Sequence, residues 1–247
     1  MMNINEVVKK VTEEVYKQMG TCANTENPAA CNLELAGHIE HSILNPDMTR
    51  AKVVAECALA KQYKFANVCV TPYFVREAAE ALKTCNVGIC APIGFPHGAA
   101  SLAAKLCEIK ECVANGATEL DVELNIVAIK SGEFDEVKRE LKAMVDAAGF
   151  GVKVKAIYEQ GVLNDDEKRK TLEIIRDVAP AFVKISNALT GKAACKDDVA
   201  FVKGIVGECV KIKIDGGIKT AAFAREILAS GAERVGCSAS VAIVTGA

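Results

Sequence analysis

Short runs of apolar, often β-branched residues alternate along almost the whole chain with longer segments of helical periodicity. Eight runs have the length and composition of strands: 38–42 (HIEHS), 66–70 (ANVCV), 87–93 (VGICAPI), 118–125 (TELDVELN), 152–159 (VKVKAIYE), 181–186 (AFVKIS), 210–214 (VKIKI) and 234–238 (RVGCS). Between them, apolar residues recur every three or four positions over 48–63, 73–85, 99–116, 134–149, 164–180, 195–208 and 220–231, which predicts helices. Thr49, Asn164 and Thr220 are placed to cap helix starts, and Gly116, Gly149 and Gly231 to close helices. Eight strands joined by helices without a long linker predict an α/β fold, a single-domain (β/α)8 TIM barrel. Residues 1–32 read as an additional N-terminal helix and a polar connection, and 33–247 as the barrel.

The strands carry charge in a regular way. Side chains two apart share a face, so Lys153, Lys155, Ile157 and Glu159 lie together, as do Glu119, Asp121, Glu123 and Asn125, and Lys211, Lys213 and Asp215. The alternate faces are apolar: Leu120, Val122 and Leu124 on one strand, Val210, Ile212 and Ile214 on another. In a barrel the apolar face meets the helices, so the charged sets point inward, where lysines and carboxylates compensate one another. Lys153, Lys211 and Glu119, near the strand starts, fit structural ion pairs or a solvated barrel floor. Lys155, Asp121, Lys184 and Lys213 fall nearer the strand ends, where this fold places active sites. If Lys184 and Lys213 share one mouth, each is expected to depress the other's pKa and leave a neutral amine for nucleophilic attack.

Glycine-rich turns follow the last two strands. Backbone N–H groups of Gly216, Gly217 and the 238–240 turn could cradle a phosphate, although a Gly-Gly pair alone also suits a tight turn. His97, in the GFPHG loop after the third strand, suits either a loop hydrogen bond or a site role.

Composition narrows the classes. The 247 residues carry a net charge of −2, which gives no electrostatic basis for binding nucleic acid or an anionic membrane. No apolar run is long enough to span a bilayer, and the N-terminal residues lack a signal peptide's apolar core, so a cytoplasmic protein is expected. Most of the eleven cysteines stand singly in apolar stretches (Cys57, Cys69, Cys90, Cys107, Cys112, Cys237), as reduced buried thiols do. Three histidines without ligand spacing to cysteine give no zinc motif, and no metal or cofactor is expected.

Taken in order, ANVCVTPYFV, IGFPHG, GATELDVELNIVAIKSGEFDEV, KAIYEQGVL, FVKIS, IKIDGGIKT and GCSAS resemble the deoxyribose-phosphate aldolase family over about residues 38–240. The resemblance implies a metal-independent class I aldolase on a (β/α)8 barrel that cleaves 2-deoxyribose 5-phosphate to acetaldehyde and glyceraldehyde 3-phosphate. It puts the Schiff-base lysine at Lys184 and the lysine that lowers its pKa at Lys213. Asp121 is then the acid that moves protons through a water, and Lys155 supports the set. The substrate and phosphate side falls on Gly216, Gly217, Gly236 and Ser238, with Ser186 and Asn187 beyond the nucleophile. Members often form dimers, so a homodimer acting on a small-molecule substrate is expected.

This chain departs from the family pattern in five places. Ile185, Ser186, Asn187 and Ala188 replace Thr-Ser-Thr-Gly, Glu40 stands where a shorter polar residue is usual, and Gln160 follows Glu159 where threonine is usual. Asp215 brings a negative charge beside the phosphate turn, and the chain ends at Ala247 without the tyrosine-ended tail of some members. These changes leave open an aldolase of the same chemistry with a different or unphosphorylated acceptor. A non-catalytic binding barrel is the third reading, opposed by the retained Lys184, Lys213 and Asp121.

Overall fold

A computed structural model describes residues 32–186, 189–193 and 195–246. The predicted N-terminal helix lies outside these residues, as do Asn187 and Ala188. A short helix α1 (Leu33–Ala36) leads into β1 (Ile39–Ile43), followed by α2 (Arg50–Tyr63), β2 (Asn67–Val70), α3 (Val75–Leu82), β3 (Gly88–Ile93), α4 (Leu102–Ala114) and β4 (Glu119–Glu123). The second half runs α5 (Ile126–Lys130), α6 (Phe134–Ala148), β5 (Lys153–Glu159), α7 (Asp165–Val178), β6 (Phe182–Ser186), α8 (Lys196–Val206), β7 (Lys211–Asp215), α9 (Ala221–Ala229), β8 (Arg234–Cys237) and α10 (Ser240–Thr245). All eight strands pair in parallel and in order, and β8 returns to β1, closing the barrel.

Local chemistry sets the helix boundaries. Thr49 accepts from the Lys52 N–H, Thr220 from the Phe223 N–H, and Asn164 forms a reciprocal capping box with Glu167. Gly149 closes α6 in a left-handed conformation, φ 77°, that other residues resist. The helix expected over 73–85 opens as a 3₁₀ turn at Pro72–Phe74, and α5 falls in a stretch too short to show helical periodicity.

Outward strand residues Leu120, Val122, Val183, Ile212 and Ile214 are buried with helix residues such as Ile109, Leu141, Met144 and Ile175 in one continuous core. At about 25 cal/mol per Å² this apolar layer dominates the stability of the fold. It leaves the barrel interior free to carry polar groups. The GFPHG loop is fixed close to β4: a Cβ on Gly98 would stand 2.0 Å from the Leu124 carbonyl oxygen. Among the described residues no helix is long and apolar enough to cross a membrane.

Candidate active site

Strand β4 contributes Glu119, Asp121 and Glu123 to the interior, about 6.6 Å apart along the strand, from floor to mouth. Strand register brings the lysines to them: Asp121 is opposite Lys155, Ile157 opposite Lys184, and Lys184 opposite Lys213.

At the floor, Glu119 Oε2 pairs with Lys155 Nζ at 2.7 Å and with Arg234 Nη1 at 2.5 Å, and Oε1 pairs with Lys153 at 3.1 Å. The Asn67 side-chain amide donates to Glu119 at 3.0 Å and to Glu40 at 2.6 Å. Burial pushes the Glu119 carboxyl up, but Lys155 and Arg234 outweigh it and bring it down to about 2. Lys153 and Lys211 open to solvent at their strand starts, as expected.

The centre belongs to Asp121, which is fully buried. Its Oδ2 accepts from Lys184 Nζ at 2.8 Å and Lys213 Nζ at 2.7 Å; its Oδ1 accepts from Lys155 Nζ at 2.9 Å and the Cys90 thiol at 3.1 Å. Glu40 bonds Lys213 and, at 3.2 Å, Lys155. Asp215 Oδ2 stands 2.8 Å from Lys184 Nζ and 3.7 Å from Lys213 Nζ. In formal charge, four interior cations (Lys155, Lys184, Lys213, Arg234) meet four anions (Glu40, Glu119, Asp121, Asp215). That balance lets a barrel interior hold so many ions.

The structure overturns one electrostatic expectation. Burial alone would push the Lys184 ammonium toward deprotonation, but Asp121 and then Asp215 outweigh it and hold its pKa well above the usual lysine value. Lys213 is likewise raised: burial opposes, and Asp121, Asp215 and Glu40 prevail, with the repulsion from Lys184 a smaller effect. The two lysines do meet, yet carboxylates between them reverse the predicted sign. Asp121 behaves correspondingly: burial pushes its carboxyl up, and Lys155, Lys184 and Lys213 hold it well below the ordinary range. Asp121 and Lys213 bond directly at 2.7 Å.

Glu123, nearest the mouth on β4, is fully buried with neither carboxylate oxygen hydrogen-bonded to any of the described residues. Burial and the neighbouring Glu159 raise its carboxyl to about 9, so it is neutral at pH 7. Ser186, buried at the end of β6, donates to Glu159, which also accepts the Leu189 N–H at 3.4 Å.

Lys184 is 6% exposed and opens into a cavity of about 620 Å³ lined also by Ser186, Lys192, Asp215, Gly216, Gly217 and Lys219. A neighbouring depression of about 430 Å³ is lined by Gly216, Gly217, Gly236, Ser238 and Lys219, and Asp215 borders both. The structure thus brings Lys184, Lys213, Asp121 and Lys155 into contact and gathers Gly216, Gly217, Gly236 and Ser238 beside them. Ser186 meets the same cavity, and Asn187 lies outside the described residues. His97 is exposed and lines a different depression with Lys105 and Glu108.

Sequence reading missed Asn67 and Arg234 at the floor, the Cys90 thiol on Asp121, and the neutrality of Glu123. A buried amide opening the apolar NVCV strand was the available signal for Asn67. All nine described cysteines are free; Cys107 is exposed, against the expectation of burial, because it falls on the outer face of α4. Glu40, Cys69, Cys90 and Asp121 could offer a metal ligand atoms within 4.8 Å of one another. The Lys155 ammonium already occupies that position, within 3.2 Å of Glu40, Cys90 and Asp121.

The chain is similar to known aldolases in sequence and in fold. The chain is 41% identical over 214 residues to the deoxyribose-phosphate aldolase of Staphylococcus carnosus, covering 87% of this chain and 97% of that protein. It is 39% identical over 212 residues to that of Clostridium tetani, covering 86% and 98%. The solved structure of QR15, an aldolase, superposes with a TM-score of 0.82 at 29% identity, covering 86% of this chain and 95% of that one. A Coccidioides immitis crystal structure covers 99% of this chain and 98% of its own, with a TM-score of 0.83 and 29% identity. Residues 36–242 match the DeoC/LacD family aldolase pattern, and the chain belongs to that family of lyases.

Proposed function

We propose that the protein is a class I, Schiff-base aldolase that reversibly cleaves 2-deoxy-D-ribose 5-phosphate to acetaldehyde and glyceraldehyde 3-phosphate. The observation that carries this reading is Lys184 Nζ, bonded to Asp121 at 2.8 Å and opening into the cavity bordered by Gly216 and Gly217. Lys184 is the nucleophile, and its amine attacks the carbonyl carbon after losing a proton. The iminium that follows draws electrons from the adjacent C–C bond. It also carries the same positive charge as the ammonium it replaces, so the pairing with Asp121 survives the reaction.

Asp121 and Lys213 form the relay that moves the proton interconverting iminium and enamine. Lys155 positions Asp121 from below through its 2.9 Å bond. Gly216, Gly217, Gly236 and Ser238, with Lys219, form the phosphate side, where exposed backbone and one cation can meet an anion. Trapping with borohydride in the presence of substrate is expected to give a reduced adduct on Lys184. Activity that survives Lys184→Ala would end the assignment.

Asp215 favours a second reading, in which the acceptor aldehyde is unphosphorylated. Its carboxylate borders both cavities and repels an anion at the glycine turns. Turnover of glyceraldehyde at a rate equal to glyceraldehyde 3-phosphate would select it; a strong preference for the phosphate would exclude it.

A further inference from the structure

Asp215 differs from the other anions around the lysines. At the end of β7 its side chain stays 23% exposed, and its Oδ2 receives Lys184 Nζ at 2.8 Å. Its Oδ1 is shielded from solvent and has no hydrogen-bond partner among the described residues. Gly236 permits this placement, since a Cβ there would stand 2.0 Å from Asp215 Oδ1. Asp121, in contrast, is fully buried, with both oxygens already taken by three ammonium groups and a thiol.

Hydrogen-bond arithmetic then separates the two carboxylates. An ammonium has three N–H groups and can serve Asp121 and Asp215 together, whereas a protonated imine has one. Imine formation therefore releases one partner. Asp215 is the carboxylate that borders the cavity and is less engaged by other ammonium groups, so it is the one released.

We propose that Asp215 is a further catalytic residue, the acid–base group that takes the Lys184 proton and returns it to the carbinolamine hydroxyl. This rests on the Schiff-base reading of Lys184. The ammonium first passes one proton to Asp215. The free amine forms a C–N bond to the aldehyde carbon as the carbonyl π electrons move to oxygen, and a proton shifts from nitrogen to that oxygen. Protonated Asp215 then gives its proton to the hydroxyl, the C–O bond breaks, and water leaves. The products are iminium, water and the Asp215 carboxylate, so the charge of the starting ammonium is conserved.

The test is the rate of iminium formation, read by timed borohydride quenching with acetaldehyde in the unmodified protein, Asp215→Asn and Asp215→Ser. Thermal unfolding checks that the variants are folded, and asparagine preserves the shape should serine loosen the mouth. The expected result is a fall of about 10²-fold in both, with the adduct still on Lys184 and added acetate restoring part of the Asp215→Ser rate. An adduct that forms as fast or faster without the carboxylate overturns the assignment, as does a fall that acetate leaves untouched. Absence of any Lys184 adduct in the unmodified protein would instead remove the Schiff-base reading itself.

Discussion

The floor and the mouth of the barrel are built from the same residue types, and only one of them is equipped for chemistry. At the floor, Glu119 is buried and saturated by Lys153, Lys155, Arg234 and Asn67. At the mouth, Lys184 borders a cavity of about 620 Å³, one oxygen of Asp215 is unpartnered, and Glu123 is held neutral with both oxygens unpartnered. Charge alone does not mark a site, because both ends carry it. Unused hydrogen-bonding capacity next to an accessible amine does, since a reacting molecule can be bound only by groups that are not already satisfied.

The largest effect is expected at the nucleophile. Lys184→Met removes the amine proposed to enter the covalent intermediate, and aldol cleavage should fall by about 10³-fold or more. Lys153→Met at the floor should leave it unchanged. Steady-state assays of the two variants side by side would break the comparison if the losses were similar.

Asp121→Asn comes next, because Asp121 is the hinge between the two regions. Three buried ammonium groups lose their shared carboxylate, which costs about 3–5 kcal/mol when one partner of a buried pair is removed. A denaturant melt should show that loss, and trapping on Lys184 should weaken with it. A stable variant would mean that Glu40 and Asp215 suffice to balance the lysines.

The fold was legible because its signals are local. Alternation in TELDVELN assigned Leu120 and Val122 outward and Asp121 inward, and the caps at Thr49, Asn164 and Thr220 stand in the structure. The convergence of Lys155, Lys184 and Lys213 followed from strand order once the barrel was recognised. The sign of the Lys184 shift did not, because it depends on distances of 2.8 Å to residues 63 and 31 positions away in the chain, Asp121 and Asp215. Two lysines imply depression; two intervening carboxylates reverse it. Asn67 and Arg234 escaped for the same reason, since their partners come from strands remote in sequence.

Glu119→Gln tests whether the floor is purely structural. The folded carboxyl titrates at about 2 against an ordinary value of 4.5. A lowered pKa stabilises the folded protein above pH 4.5, and that contribution disappears as pH falls toward 2. The difference corresponds to about 3 kcal/mol at pH 7. The variant should therefore be less stable at pH 7 and approach the parent near pH 2, in urea titrations at both values. It should still form the Lys184 adduct; loss of the adduct in a folded variant would make the floor part of the catalytic machinery.

Glu123→Gln should do the reverse. Here the folded pKa is raised, to about 9 from 4.5, so the protein bears no penalty from this residue below pH 4.5 and a growing one as pH rises toward 9. The unfolded chain ionises Glu123 while the folded barrel, crowded by Glu159 and shut off from water, does not. Glutamine keeps the shape without the option of charge, so the variant should match the parent near pH 4 and exceed it by up to about 3 kcal/mol at pH 7. An unaltered pH dependence would mean that Glu123 ionises freely in the folded state. It would then join the anions around Lys184, and the mouth would lose the neutral acid that sets it apart from the floor.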